Sequence, residues 1–175
     1  MATKQTDPTL AESMKEIEST PNCLAENLGW LLAQSQFALA TEINRALAPL
    51  GLSKRSWYVL TTATTGEYTQ KELADLIGLD KTTMVVTIDE LEESGLAVRR
   101  PSKRDRRAHV ISVTRAGKRK AEEGQTVVDR IQKDVLGTLP PSDRKVFLES
   151  LASLVRDRFG DEVRCTPERR REPKA

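Results

Sequence analysis

Signals for helix starts recur three times in the middle of the chain. Residues Thr69 to Glu72 have the form of a capping box, in which the threonine and glutamate side chains each bond the other residue's backbone amide. Ser53 and Asp80 are N-cap residues of two further helices. The middle of the chain is therefore constrained to three short, separately capped helices. Each cap lies between two apolar residues at the positions of a hydrophobic staple: Leu52 and Trp57, Tyr68 and Leu73, and Leu79 and Met84.

Glycines and an alternating segment complete this region. Gly66, Gly78 and Gly95 follow the predicted helix ends, where the chain is expected to turn through positive φ. Apolar residues then occupy every second position in residues 96–100 and 107–113, which predicts a β-hairpin. Three helices followed by a hairpin is the order of a winged helix-turn-helix. The predicted helices cover residues 53–63, 69–77 and 80–94.

Long helices flank this region on both sides. Apolar residues at three-to-four spacing predict one helix from residue 24 to about 50, a second over residues 116–139 and a third over residues 146–159. Residues 9–17 have the spacing of a short amphipathic helix, whereas residues 161–175 are rich in arginine and proline and predict a mobile tail. The predicted fold class is mainly α with a small β-hairpin wing.

Positive charge is concentrated in one part of the chain. The formal net charge is only +2, but residues 99–120 contain ten basic residues and one acidic residue, a net charge of +9. Residues 1–98 carry a net charge of −7. A charge run alone is also typical of a solvated surface loop. Because this one includes the predicted hairpin of a winged helix-turn-helix, we expect its partner to be the phosphate backbone of double-stranded DNA.

The composition disfavours several other classes of protein. One histidine and two cysteines leave little for a metal site or for histidine-based catalysis, and the chain has no Gly-x-Ser-x-Gly or phosphate-cradling glycine motif. The longest stretch without a charge, residues 27–41, is shorter than the ~20 apolar residues of a membrane span. Residues 1–10 show no secretory signal. We expect a cytoplasmic protein that is not an enzyme and has no metal, no cofactor and no membrane contact.

The helix predicted over residues 80–94 is the one that would enter the major groove. At 100° per residue, Met84, Ile88 and Leu91 share one face and are expected in the core. Val86 lies on the other face, where its methyl groups and that of a threonine would contact thymine methyl groups. Candidate contacts on this helix are Lys81, Thr82, Thr83, Val86 and Thr87. Candidates for the DNA backbone are Ser53, Lys54, Thr69 and Gln70.

The second half of the same helix is acidic. Asp89, Glu90, Glu92 and Glu93 should repel phosphate. We therefore expect the helix to approach DNA with its first turns.

The sequence also resembles the MarR family of winged-helix transcription regulators. Residues 105–114, Asp-Arg-Arg-Ala-His-Val-Ile-Ser-Val-Thr, are similar to the family's wing pattern, with His109 in place of the usual basic residue. Residues 91–96, and Gly51-Leu52-Ser53 with Trp57 and Leu60, also resemble the family, and the similarity covers about residues 28–159. The resemblance implies that Arg107 enters the minor groove and that Asp105 holds the wing tip in shape. The candidate wing residues are Lys103, Arg104, Asp105, Arg106 and Arg107.

The same resemblance implies a domain arrangement. Helical regions near both termini would form a homodimer, and the middle of the chain would read DNA. The expected parts are an N-terminal extension (1–22), a first dimerisation helix (23–50), the DNA-binding lobe (51–113), C-terminal dimerisation helices (114–160) and a tail (161–175).

An effector and a repressor role are implied by the resemblance alone. A small aromatic or carboxylate-bearing effector would bind between the dimer helices and the DNA-binding lobe and release a pseudo-palindromic operator. The position of Trp57 in a hydrophobic staple also predicts that its side chain lies in the core instead of an effector cleft. On the hairpin, His109 shares a strand face with Ile111, and we expect its side chain to be half-buried. Candidate effector residues are Trp30, Phe37, Arg45, Arg55 and Trp57.

Two other functions remain open from the sequence. Cys23 or Cys165 would sense oxidants in a thiol-based regulator. A winged helix also serves as a protein-binding adaptor without sequence-specific DNA binding, although an adaptor does not need the charge of +9.

Overall fold

A computed structural model of the chain describes residues 22–102 and 108–160. The described residues divide into two compact units, with the division between Glu42 and Ile43. The helices are α1 (Asn22–Ala25), α2 (Leu28–Leu47), α3 (Lys54–Thr64), α4 (Gln70–Ile77), α5 (Lys81–Glu93), α6 (Arg115–Gly137) and α7 (Pro141–Ser153), and the strands are β1 (Ala97–Pro101) and β2 (His109–Val113). A 3₁₀ turn, Ala48–Leu50, follows α2, and a π-helical segment, Leu154–Arg158, continues α7. The mainly α fold with one hairpin is confirmed.

The first unit contains α1 and most of α2. The sequence predicts one continuous helix from residue 24, but the structure has two helices, interrupted at residues 26–27. Asn27 causes the new start, because its Oδ1 accepts a hydrogen bond from the backbone amide of Trp30 at 2.9 Å. Leu28 and Phe37 are exposed on α2, Phe37 at 69%.

The core of the second unit surrounds α3. Val59 and Leu60 on this helix are fully buried. Trp57 is also buried, and its Nε1 donates a hydrogen bond to the backbone oxygen of Ala121 on α6 at 3.2 Å. Gly124 lies beneath the indole ring, where a Cβ would be 2.5 Å from Trp57 Cδ1. Other fully or nearly buried residues are Leu47, Leu52, Leu73, Met84, Ile88, Leu91, Ala97, Val110, Ile111, Ala121, Val128 and Ile131.

The predicted helix starts are confirmed, and one of the predicted turns is wrong. Ser53, Thr69 and Asp80 each cap the helix that follows them. Gly78 and Gly95 have the expected positive φ, 73° and 68°, whereas Gly66 does not belong to the positive-φ glycines. The helix before Gly66 ends at Thr64, and its C-cap Thr65 has a right-handed conformation, with the Thr65 amide bonded to the Thr62 oxygen at 3.0 Å. That closure needs no left-handed residue.

The hairpin pairs as predicted, but the burial of β2 does not alternate. Ala97 lies opposite Val113 and Pro101 opposite His109 in an antiparallel register. Val110 and Ile111 are both buried, because Val110 bridges to Thr69 and the Ile111 amide donates to the Tyr68 oxygen at 3.0 Å. The segment before α4 thus covers one edge of β2. The expectation of a half-buried His109 is wrong, since this residue is exposed.

The last helical region differs from the predicted single regular helix. The α-helical part ends at Ser153 and the following turn is π-helical. Val146, Leu148 and Val155, which belong to the predicted buried stripe, are exposed. Among the helices of the described residues, none is long and apolar enough to cross a membrane.

Gly117 in the first turn of α6 makes a testable packing contact. A Cβ at this position would overlap the backbone oxygen of Leu96, next to the start of β1. We expect Gly117→Ala to lower the free energy of unfolding by about 1–3 kcal/mol. The Leu96 backbone would have to move away from the new methyl group, and backbone moves less easily than the end of a flexible side chain. Urea unfolding at fixed protein concentration measures the change.

Gly137 at the end of the same helix provides the control. Nothing lies within 4 Å of a Cβ built there. Gly137→Ala should leave stability unchanged or raise it by about 0.5 kcal/mol. Equal midpoints for the two variants would contradict the contact between Gly117 and Leu96.

Candidate nucleic-acid interface

Two capped helices joined by a tight turn form the centre of the candidate interface. At the start of α4, the Thr69 amide donates to Glu72 Oε2 at 2.7 Å, and the Glu72 amide donates to Thr69 Oγ1 at 3.2 Å. The helix ends at Gly78, whose amide bonds the Ala74 oxygen. Two residues later Asp80 caps α5, so the turn between the helices is short and fixed at both ends.

The Asp80 cap ties down the first turn of α5. Its Oδ1 accepts from the Thr83 amide at 3.0 Å, and its Oδ2 accepts from the Thr83 hydroxyl at 2.6 Å. The side-chain hydrogen bond from Thr83, followed by the backbone one, lowers the pKa of Asp80 below its ordinary value. The hydroxyl proton of Thr83 is therefore already donated within the protein, and its methyl group is available for apolar contacts.

Val86 is the exposed apolar residue on the outward face of α5. Its side chain is 45% exposed, and Lys81 and Thr82 at the start of the helix are exposed as well. The opposite face is core as expected, with Met84, Ile88 and Leu91 buried. Positive charge, a helix N-terminus and apolar methyl groups thus share one surface.

Thr87 does not belong to this surface, and its assignment as a DNA contact is wrong. The residue is fully buried, and its hydroxyl donates to the Thr83 backbone oxygen at 2.7 Å. The physical reason is helix periodicity, since position 87 lies three residues after Met84 and four before Leu91. The helical periodicity of residues 80–94 therefore predicts that Thr87 is buried.

The candidates for DNA backbone contact lie at the starts of α3 and α4. The Ser53 hydroxyl caps α3 and lies 2.7 Å from Ser56 Oγ, and Lys54 Nζ lies 5.7 Å from the Tyr58 ring centroid. Thr69 is engaged in its capping box. All four candidates are at least partly exposed: Ser53, Lys54, Thr69 and Gln70.

A surface cleft lies between α4 and the start of α5. It has a volume of about 480 Å³ and an apolar floor that includes Ala74 and Met84. Gln70 and Lys81, predicted separately, both lie along it. Lys71, which sequence reasoning did not select, lies beside them and is exposed. Its position directly after Gln70 in the first turn of the helix is the signal that could have found it.

Three of the four acidic residues in the second half of α5 pair with arginines from other elements. Arg99 on β1 bonds both Glu92 and Asp89, the latter at 2.7 Å. Arg55 on α3 lies 3.7 Å from Glu90. Partial burial disfavours the charge of Arg99, but hydrogen bonds and charges from Asp89 and Glu92 outweigh it and raise the pKa of Arg99 above its ordinary value. Neither pairing was predictable from local sequence patterns, since each joins residues on different elements.

The wing tip lies outside the described residues. Lys103, Arg104, Asp105, Arg106 and Arg107 all fall there, so their assignments stay predictions. The residues on either side of the tip are described, and the Ser102 amide donates to the Ala108 oxygen at 2.8 Å. Ser102 is buried and Arg100 is exposed.

The effector candidates have very different surroundings. Trp57 is core, as its staple position indicated, and its indole is bonded to Ala121, which makes its assignment to an effector cleft wrong. Arg55 is exposed beside Glu90, and Arg45 is exposed on α2. Trp30 and Phe37 belong to the other unit, where Trp30 is half-buried.

The two cysteines are the candidates for a thiol-based regulator. Cys165 lies outside the described residues, and of Cys23 only the backbone is described, in α1. Among the described residues, no group of three histidine, cysteine or carboxylate side chains could hold a metal ion.

Comparisons with known sequences assign the family. Residues 50–108 match the sequence model of the MarR family. YwoH of Bacillus subtilis (strain 168), an HTH-type transcriptional regulator, is 30% identical over 115 residues, which are 65% of this chain and 83% of YwoH. The chain belongs to the MarR family. As a MarR-family protein it is a DNA-binding transcription regulator and not an enzyme.

Solved structures of MarR-family regulators share the fold. A MarR-family transcriptional regulator from Rhodococcus sp. RHA1 is 30% identical with a TM-score of 0.70, over 77% of this chain and 96% of its own. CouR from Rhodococcus jostii RHA1, bound to p-coumaroyl-CoA, is 30% identical with a TM-score of 0.70, over 79% and 99% of the two chains. The repressor CouR bound to a 23-mer DNA duplex is 28% identical with a TM-score of 0.71, over 77% and 96%.

The charge of the Asp80 cap predicts a pH dependence of stability. Because the folded pKa is lowered, the carboxylate stabilises the fold above its ordinary pKa of 3.8, and this contribution is lost as the pH falls through the lower folded value. Asp80→Asn keeps the cap geometry without the charge. The difference in urea midpoint between wild type and Asp80→Asn should stay constant from about pH 7 to about pH 5 and shrink below about pH 4. A difference that is the same down to pH 3 would contradict this.

Proposed function

We propose that this MarR-family protein is a homodimeric repressor that binds a pseudo-palindromic operator and releases it when a small-molecule effector binds. The observation that carries DNA recognition is the exposed face of α5, where Lys81, Thr82 and Val86 lie beside the capped N-terminus. A helix of this kind enters the major groove with its first turns. The wing, whose tip at residues 103–107 carries four of the six arginines and lysines in residues 97–113, would contact the neighbouring minor groove or backbone.

Base recognition is assigned to methyl groups on α5. Val86 is apolar and 45% exposed on a surface that is otherwise polar, and the Thr83 methyl lies one turn before it with the hydroxyl turned to Asp80. Thymine offers a methyl group in the major groove that such side chains contact. Lys81 and the amides at the start of α5 would hold phosphate. The assignment of α5 to DNA is also supported by the fold shared with CouR on its duplex.

Dimerisation is assigned to helices outside the DNA-binding lobe. On α7, Val146, Phe147 and Leu148 are exposed together, and on α2 Leu28 and Phe37 are exposed. Apolar residues exposed in a group are typical of an interaction surface. We assign residues 23–50 and 114–160 to the dimer, and residues 51–113 to DNA binding. The N-terminal extension (1–22) and the tail (161–175) have no assigned role.

An effector completes the proposed repressor. CouR has been solved both with DNA and with p-coumaroyl-CoA, which is the pairing expected of a ligand-released repressor. By analogy we propose an effector with an aromatic or carboxylate group for this chain, with Trp30, Phe37, Arg45 and Arg55 as its candidate contacts. Because its DNA target would be chromosomal, we also propose a cytoplasmic location.

Selection of bound duplexes from a random pool tests the proposed function. The full chain is incubated with the pool, bound DNA is recovered over several rounds, and the products are sequenced. We expect a pseudo-palindrome with half-sites about one helical turn apart, because a two-fold symmetric dimer presents two recognition helices at that spacing. Recovery of no common sequence would favour the adaptor alternative, and a single half-site would contradict the dimer.

Val86 provides the first mutational test. We expect Val86→Asp to abolish preference for the selected duplex in a gel shift, since a carboxylate would replace a methyl contact and repel phosphate. Leu76→Asp is the control, because Leu76 is 60% exposed on the preceding helix and receives the same charge. If both variants lost the same affinity, a general charge effect would replace the assignment of Val86 to base contact.

The wing arginines provide the second mutational test. Arg107→Ala should cost about 1–3 kcal/mol of binding to the selected duplex, as expected for an arginine in a narrow minor groove. Arg104→Ala and Arg106→Ala should mainly reduce the salt dependence of binding, because phosphate contacts act by counterion release. Titrations at several salt concentrations measure both quantities. Equal small losses for all three variants would indicate a generic basic surface.

A further inference from the structure

Arg99 at the centre of β1 joins the strand to the recognition helix α5. Its Nη1 donates to Glu92 Oε2, and its Nη2 donates to Asp89 Oδ1 at 2.7 Å. Its backbone amide donates to the other carboxylate oxygen of Glu92, Oε1, at 2.6 Å. We call these three residues the Arg99 bridge. One arginine thus holds two carboxylates that lie one turn apart on the helix that reads DNA.

The bridge spans a short connection. Only residues 94–96 separate the end of α5 from β1, and Gly95 among them has a left-handed conformation. The connection is also fixed at its end, where the Leu96 amide bonds the Leu91 oxygen at 2.8 Å and the Thr114 hydroxyl bonds the Gly95 oxygen at 2.8 Å. Arg99 lies further along the strand than these bonds. It therefore holds β1 against the side of α5 rather than only at the turn.

The guanidinium of Arg99 donates its hydrogen bonds to carboxylates of the same protein chain. Its side chain is 30% exposed, compared with 50% for Asp89, and two of its nitrogen atoms are engaged with carboxylates. Arg100, the next residue, is exposed. A basic residue that contacts phosphate needs free donors facing outward, and Arg100 fits that description better than Arg99 does.

We propose that Arg99 is a positioning residue for operator recognition: through Asp89 and Glu92 it sets the orientation of the wing hairpin relative to the recognition helix, and it does not contact phosphate. This inference depends on the proposed function, in which α5 and the wing contact the same duplex. Both must then hold a fixed relative geometry to meet two grooves at once. A nonspecific duplex needs no such match, since phosphate lies everywhere along its surface.

Glu92→Gln separates positioning from simple electrostatics, because the two predict different results. The substitution removes a negative charge close to DNA, so electrostatics alone predicts tighter binding to every duplex. Loss of positioning predicts weaker preference for the selected duplex, while binding to a scrambled duplex stays equal or tightens. The ratio of the two affinities also excludes a merely structural effect, because partial unfolding would reduce binding to both duplexes by the same factor.

The experiment uses the full chain with two labelled duplexes. One is the duplex selected from the random pool, and the other has the same composition in scrambled order. Fluorescence anisotropy at several salt concentrations gives both affinities and their salt slopes for wild type, Arg99→Gln, Arg99→Lys and Glu92→Gln. We expect the ratio of affinities to fall about tenfold in all three variants, the order expected from losing a charge-assisted hydrogen bond. The salt slope on the scrambled duplex should stay unchanged.

Arg100→Gln is the matched control on the same strand. It removes the same charge one residue further along the strand. It should weaken binding to both duplexes by the same factor, which leaves the ratio of the two affinities unchanged. Arg99→Lys keeps the charge but is unable to span two carboxylates, so it decides the question even if Arg99→Gln fails to fold.

Three outcomes would overturn the inference. An equal loss of both affinities in Arg99→Gln, with a salt slope reduced by about 1, would identify a phosphate contact. Glu92→Gln or Arg99→Lys with an unchanged ratio would show that the bridge has no positioning role. If the wild-type chain selects no duplex, the proposed function fails and this inference fails with it, whereas failure in the variants alone leaves the proposed function intact.

Discussion

The packing of Trp57 against α6 is the contact on which the second unit depends. The indole lies over Gly124, where a Cβ would be 2.5 Å from Cδ1, and its Nε1 bonds the Ala121 oxygen. A large aromatic side chain is buried this closely only because position 124 has no side chain. The contact joins α3, the centre of the DNA-binding lobe, to the long helix that leaves it. The positions of α4, α5 and the hairpin follow from their own packing on α3 and on each other.

Capping then sets where each helix of the lobe begins. Ser53, Thr69 and Asp80 each satisfy backbone amides that the helix leaves unpaired. At Asp80 this has a direct consequence for the surface, because the Thr83 hydroxyl is used by the cap. The first turns of α5 therefore present the methyl groups of Thr83 and Val86 beside the exposed Lys81 and Thr82. In the proposed function, this combination suits thymine methyl groups flanked by phosphate.

Local signals predicted a large part of this arrangement. The caps, the helix order, the hairpin and the core positions Met84, Ile88 and Leu91 all depend on residues within a few positions of one another. The burial of Thr87 also depends on local spacing, because helix periodicity places position 87 on the same face as Met84 and Leu91. The burial of both Val110 and Ile111 was different, because the segment at residues 68–69 contacts β2 at these two positions. No periodicity within β2 contains that information.

The role of Arg99 was hidden for the same reason, and it changes how the charge of the chain is understood. Sequence arithmetic counts Arg99 toward the positive charge of residues 99–120, but its guanidinium is engaged by Asp89 and Glu92. The acidic half of α5 and this arginine therefore offset each other close to the helix. Arg55 does the same for Glu90 at longer range. Arginines from α3 and β1 pair with Asp89, Glu90 and Glu92 in the acidic second half of α5. In the proposed function, this pairing leaves the first turns of α5 and the wing to contact the DNA.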